Sequence, residues 1–285
     1  TRAVTAEAFP ISIDAETVTR LAEDPEIQAR ARQIREELGD PQTILLGVDR
    51  LDYTKGIRHR IKAFAELLED NRVTVEQACL VQVASPSREN VESYRELRDE
   101  IELSVGRVNG TFDTMGHTAI RYLHHSYPVE EMVALYLAAD VMLVTALRDG
   151  MNLVAKEYVA VRGDWGGVLV LSEFAGAADQ LRDALLVNPH DIDGLKDAIM
   201  EAIEMDAEEA GARMRAMHQH VLTHDVTKWS RDFLDRLGGR TKYHQVRSED
   251  ARQSAFMDTD DDRERREDEH AELSGQAAAG DGADD

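Results

Sequence analysis

Cysteine is nearly absent from these 285 residues. Cys79 is the only one, so no internal disulfide can form. Its place in the apolar run ACLVQVA makes it a small core residue. No run of 18 or more apolar residues occurs, which excludes a helical membrane span. No signal peptide is visible, and the first residue is Thr1 rather than Met, so the chain reads as one entered in mid-phrase, a fragment. Cationic charge is scarce: 33 Lys and Arg stand against 56 Asp and Glu, net −23. Binding nucleic acid over a broad surface needs a local excess of Lys and Arg, so that partner class is not expected. No repeat of 20–50 residues recurs, and no nucleophile elbow or Ser-His-Asp signature appears. His124 and His125 are adjacent, face opposite sides of an extended segment and have no further Cys or His at ligand spacing, so no metal is expected. These features together predict a soluble, cytoplasmic protein without cofactor or membrane partner.

Hydrophobic residues make up 42% and charged residues 31%, enough apolar material for a sizeable core. The charge is unevenly spread. Residues 248–285 hold 14 acidic and 4 basic residues, net −10, and end in SGQAAAGDGADD. Such a stretch buries too little surface to offset its ordering entropy, and it reads as a disordered tail.

Short apolar runs at 43–49, 77–84, 119–123, 140–145, 167–171 and 184–187 read as buried strands. Between them lie helical patterns. Residues 56–70 carry Ile57, Ile61, Phe64, Leu67 and Leu68 on one face. Residues 89–105 carry Val91, Tyr94, Leu97, Ile101 and Leu103, with Ser87 placed to cap them. Further helices are expected over 129–138, 153–161, 191–205 and 206–237. Strands alternating with helices predict an α/β fold, a Rossmann-like doubly wound parallel sheet. Such sheets bind ligands at the carboxyl ends of their strands.

The first strand runs out in VDRLDYTKG. Arg50 and Lys55 there suit a phosphate, one as a bidentate fork and one as a point charge. Equally, Arg50 can pair with Asp49 or Asp52 and Lys55 can lie in solvent. After the second strand, Arg88 follows a Ser-Pro-Ser turn and faces either an anion or Glu89 and Glu92. The fourth strand ends in TALRDGMNLVAKEY. Asp149 and Gly150 form a turn whose carboxylate can take sugar hydroxyls. Met151, Asn152 and Leu153 open a helix whose free N–H groups can meet a diphosphate, and Glu157 lies one turn on. The alternative is a plain turn, a helix start and a solvated Glu.

Together, GVDRLDYTKGI, ASPSREN, SYPVEEMVALYLAADVMLVTALRDGMNLVAKEY and GVLVLSEFAGAADQL resemble the trehalose-6-phosphate synthase family, glycosyltransferase family 20. The resemblance runs from about Phe9 to Leu237 and leaves out the acidic tail. It implies a two-domain GT-B enzyme of which this chain holds the second domain. The residues divide into the end of the first domain and crossover at 1–14, a nucleotide-sugar-binding unit at 15–224, a return helix at 225–240 and an acidic disordered tail at 241–285. If the first domain is absent, Trp229 and Phe233 are left exposed.

The resemblance also implies the reaction: glucose passes from UDP-glucose to glucose 6-phosphate with retained configuration, giving trehalose 6-phosphate and UDP. Arg50 and Lys55 match the catalytic pair on the donor diphosphate. Tyr127 matches an aromatic beside the uracil. Asp149, Gly150, Met151 and Asn152 match the cradle of the donor glucose. Leu153, Val154, Ala155, Lys156 and Glu157 match the helix start under the diphosphate, with Glu157 on the ribose. Arg88 matches an arginine on the acceptor phosphate. Two other readings stay open, a non-catalytic nucleotide-sugar-binding fragment and a sister enzyme such as a glucosylglycerol-phosphate synthase. So do a UDP or ADP donor and a homo-oligomer.

Overall fold

The structure is a computed structural model and describes residues 6–238. The expected acidic tail at 241–285 therefore lies outside the described residues. Elements follow in the order α1 (Ala15–Ala22), α2 (Pro25–Glu37), β1 (Thr43–Arg50), α3 (Ile57–Glu69), β2 (Ala78–Ser85), α4 (Glu92–Phe112), β3 (Ile120–Leu123) and α5 (Val129–Ala138). The chain continues through β4 (Val141–Val144), α6 (Leu153–Val161), β5 (Val168–Ser172), β6 (Leu185–Val187), α7 (Ile192–Glu204), α8 (Ala207–Thr223) and α9 (Val226–Leu237).

All six strands are parallel, in the order β3-β2-β1-β4-β5-β6. Every expected strand is present, each boundary within one residue. Successive side chains of a strand point to opposite faces, and here both faces are apolar. Ile44, Leu46, Val81, Met142 and Leu169 meet α1, α2, α5, α6 and α8 on one side. Leu45, Leu80, Leu143 and Val170 meet α3, α4 and α7 on the other. The five apolar residues expected of α3 are all buried, and so is Cys79.

Polar groups at helix starts and tight backbone turns fix where elements begin. Asp14 caps α1 by accepting from the Thr17 amide, and Asp24 caps α2 ahead of Pro25. Neither helix stood out in the sequence, because α2 buries only Ile27, Ala31 and Ile34 within a charged stretch. The helix expected at 89–105 begins later and runs further. Arg88 has φ 49° and the Val91 amide donates to its carbonyl, so the turn closes before Glu92. Ser87 does not cap it; Val91 is the cap residue and makes no side-chain cap bond. Its core face is Tyr94, Leu97, Ile101, Val105 and Val108, whereas Val91 and Leu103 are exposed. The pattern at 206–237 breaks at His224 and Asp225 into α8 and α9.

One buried ion pair sits directly beneath the carboxyl edge. Arg60 on α3 is fully buried and donates to Asp49 Oδ2 at 2.8 Å, Gln82 Oε1 at 2.6 Å and Thr145 Oγ1 at 3.1 Å. It thereby joins the ends of β1, β2 and β4. Gly47 makes the room, since a Cβ there would overlap the guanidinium.

Candidate active site

The strand order reverses between β1 and β4, the switch point at which open parallel sheets form a crevice outside the carboxyl ends of their strands. On the β1 side, Arg50 is exposed at the strand end. Asp52 accepts from the amide and hydroxyl of Thr54 at 2.9 and 2.8 Å, shaping the short 3-10 turn Tyr53–Lys55. Burial alone would raise the Asp52 pKa, but Thr54, Tyr94 and the charge of Arg50 hold its carboxyl below the ordinary range. The turn ends at Gly56, φ 70°, where a Cβ would overlap the Thr145 carbonyl. A glycine is therefore required where this turn passes against the end of β4.

On the β4 side, the Leu147 amide donates to Thr54 O at 2.7 Å, stitching the two loops together. Lys55 Nζ then meets Asp149 Oδ2 at 2.6 Å. The lysine is thus neither solvated nor alone. Burial pushes the Asp149 carboxyl up, yet Lys55 and Asn152 outweigh it and hold it below its usual range. Asn152 has φ 83° and does two jobs. Its Oδ1 accepts from Ala155 N as the cap of α6, and its Nδ2 donates to Asp149 Oδ2 at 3.0 Å. The amides of Leu153 and Val154 lie in the first turn, where N–H groups lack an intrahelical acceptor. Lys55, Asp149, Gly150, Met151, Asn152 and the start of α6 thus form one contiguous cluster.

Other expected residues lie around it. Glu157 is half-buried and accepts from Tyr136 OH at 2.9 Å. Lys156 turns inward: it is buried, donates to Ile11 O at 2.7 Å, and burial pushes its pKa down to about 8. It is no free cation for a phosphate. Arg88 pairs with neither Glu89 nor Glu92; its Nη1 donates to Tyr94 OH at 2.9 Å. Tyr94 in turn donates to Asp52 Oδ2 at 3.0 Å, so the Arg88 turn is tied to the Lys55 turn. Tyr127 stands apart beyond β3, edge-on to His125, beside a cavity of about 260 Å³ between α2 and α5. His124 bonds the Ala84 carbonyl through Nδ1. Among the described residues no group of three or more His, Cys, Asp or Glu is placed to hold a metal, and no helix is long and apolar enough to cross a membrane.

Sequence reasoning missed several supporting residues. The loop Asp149–Met151 is braced from beyond β5, with the Gly176 amide on Asp149 O at 3.1 Å and the Ala177 amide on Met151 O at 2.8 Å. Gly176 has space only for hydrogen, because a Cβ would overlap the Gly150 carbonyl. Its signal was the AGAAD phrase after β5. Tyr94, Tyr136 and Arg60 carried no local signal. Trp229 is half-buried, its Nε1 donating to Phe9 O at 3.0 Å, while Phe233 stays 41% exposed and edge-on to Phe9.

The family model for glycosyltransferase family 20 matches residues 1–238. A trehalose-6-phosphate synthase of Mycobacterium leprae is 58% identical over 230 residues, covering 81% of this chain and 46% of that protein. The chain therefore spans about half the length of such curated relatives. Among solved structures, a UDP-forming alpha,alpha-trehalose-phosphate synthase of Burkholderia xenovorans in complex with glucose-6-phosphate has TM-score 0.76 at 39% identity, over 80% of this chain and 50% of that one. An E. coli structure bound with UDP-2-fluoro glucose has TM-score 0.76 at 37% identity, over 81% and 51%. With its parallel sheet, its crevice cluster and a match across almost all described residues, the chain belongs to glycosyltransferase family 20.

Proposed function

We propose that residues 15–224 form the nucleotide-sugar half of a retaining glucosyltransferase that moves glucose from UDP-glucose to glucose 6-phosphate. The observation that carries this is the Lys55–Asp149 pair, set over the N-terminus of α6 at the β1–β4 crevice. In this reading the donor diphosphate lies on Arg50, Lys55 and the amides of Leu153 and Val154. Asp149, released from Lys55, accepts glucose hydroxyls beside Gly150, Met151 and Asn152. Glu157 accepts from the ribose hydroxyls, Tyr127 flanks the base and Arg88 holds the acceptor phosphate. The relatives solved with glucose-6-phosphate and with UDP-2-fluoro glucose support the two ligand classes.

The chemistry then needs no enzymic nucleophile. The bond from the anomeric carbon to the diphosphate oxygen breaks, and the acceptor hydroxyl bonds to the same face. Its proton passes to the departing phosphate. Arg50, Lys55 and the helix start stabilise the developing negative charge. Arg88 turns two free reactants into a held pair.

Because the chain spans about half of its relatives, we expect these 285 residues to bind UDP-glucose without sustained turnover. Calorimetry with UDP tests the phosphate site: Arg50→Ala with Lys55→Ala should weaken binding more than about 100-fold, the loss of two charge-assisted contacts. Unchanged affinity refutes the assignment. Full-rate UDP release from UDP-glucose and glucose 6-phosphate would overturn the half-enzyme reading.

A further inference from the structure

Glu157 has a buried partner that the proposed reaction does not use. Tyr136 lies on α5, 2% exposed, and its hydroxyl donates to Glu157 Oε2 at 2.9 Å across 21 residues of sequence. The phenol is fixed on both sides. Its ring stands edge-on to Tyr158 on α6 at 6.4 Å. Below it, Arg162, just after α6, donates to the carbonyls of Leu137 and Ala139 at 3.0 and 3.1 Å, locking the end of α5 to the end of α6. A half-buried carboxylate on a helix turn would otherwise sample several rotamers.

The geometry points to Tyr136 as the positioning residue that makes the site selective for an intact ribose. Its hydroxyl engages one carboxylate oxygen of Glu157 and so holds Oε1 toward the vicinal hydroxyls of a nucleoside diphosphate. This rests on the reading of Glu157 as the ribose acceptor. The direction of the bond is fixed by chemistry: a carboxylate accepts, so the phenol must donate. Burial, with the neighbouring Glu157 charge, raises the phenol well above its ordinary pKa, in keeping with its role as donor. Since Tyr136 is buried, it holds Glu157 and does not touch the ligand.

The test uses this chain with two probes, UDP and 2′,3′-dideoxy-UDP, by calorimetry. The wild type should favour UDP by about tenfold or more, the worth of hydrogen bonds to a charged acceptor. Tyr136→Phe keeps the ring and should weaken UDP about three- to tenfold, leaving the dideoxy probe within about twofold. Tyr136→Leu also removes the hydroxyl and should show the same collapse of the ratio, and urea unfolding checks that each variant is folded. Equal binding of both probes by the wild type, or no UDP binding, overturns the Glu157 reading and this inference with it. A preserved ratio in the variants, or an equal loss for both probes, overturns the role of Tyr136 alone.

Discussion

The Arg60 guanidinium and the Asp49 carboxylate show what single residues contribute beneath the site. Both side chains are essentially sealed from water, 0% and 3% exposed. A buried pair of this kind costs desolvation to form, but removing one partner strands the other charge. Arg60→Ala should therefore lower stability by about 3–5 kcal/mol in urea unfolding, and Arg60→Met with Asp49→Leu should recover much of that loss. A loss under 1 kcal/mol for the single variant would show that water reaches Asp49. At this scale the sequence was legible where chemistry is local. Lys55, Asp149 and Asn152 lie in short turns whose residue types name them. Arg60 was not legible, because its partners Asp49, Gln82 and Thr145 lie 11, 22 and 85 residues away and meet only once the sheet is formed. The same holds for Tyr94, which reaches Asp52 across 42 residues.

Among elements, α6 is the most heavily committed. Its first turn faces the crevice, Glu157 faces α5, and Lys156 reaches the extended segment before α1. That segment is held again from α9, by the Val226 amide on Ile13 O at 2.9 Å and by Trp229 on Phe9 O. Lys156 makes this junction sensitive to pH. Its folded pKa, about 8, lies below the ordinary 10.5, so the unfolded chain binds the extra proton between those values. Stability contributed at this position should therefore rise as pH climbs from about 8 to 10.5. Against a Lys156→Met reference, the wild-type unfolding free energy from urea titrations should improve by roughly 1–3 kcal/mol over that window; parallel profiles would sink the idea. Periodicity announced α3 because its apolar face is dense. It did not announce α1 or α2, whose starts were written in Asp14 and in Asp24-Pro25 instead of in an apolar stripe. It misplaced α4 because the backbone strain at Arg88 has no signature in residue type.

For the whole molecule, the function proposed above asks an acidic chain of net −23 to hold anions, and the geometry reconciles the two. The strand order concentrates Arg50, Lys55 and the start of α6 at one edge. The fold class was legible because parallel sheets buried on both faces leave near-continuous apolar runs. The meeting of β1 with β4 was not, since strand order is decided by packing of the crossovers. The Lys55–Asp149 contact gives that edge a further property. The Lys55 ammonium has a counter-ion in Asp149, so on the function proposed above capture of a diphosphate exchanges one anion for another. Salt screens the outgoing pair as well as the incoming one, and the two effects partly cancel. UDP affinity should accordingly fall by less than about tenfold between 50 and 500 mM salt, whereas Asp149→Asn should bind UDP more tightly and lose affinity more steeply over the same range. The site thus carries its own competitor, and that competitor sets how strongly ionic strength can act on it.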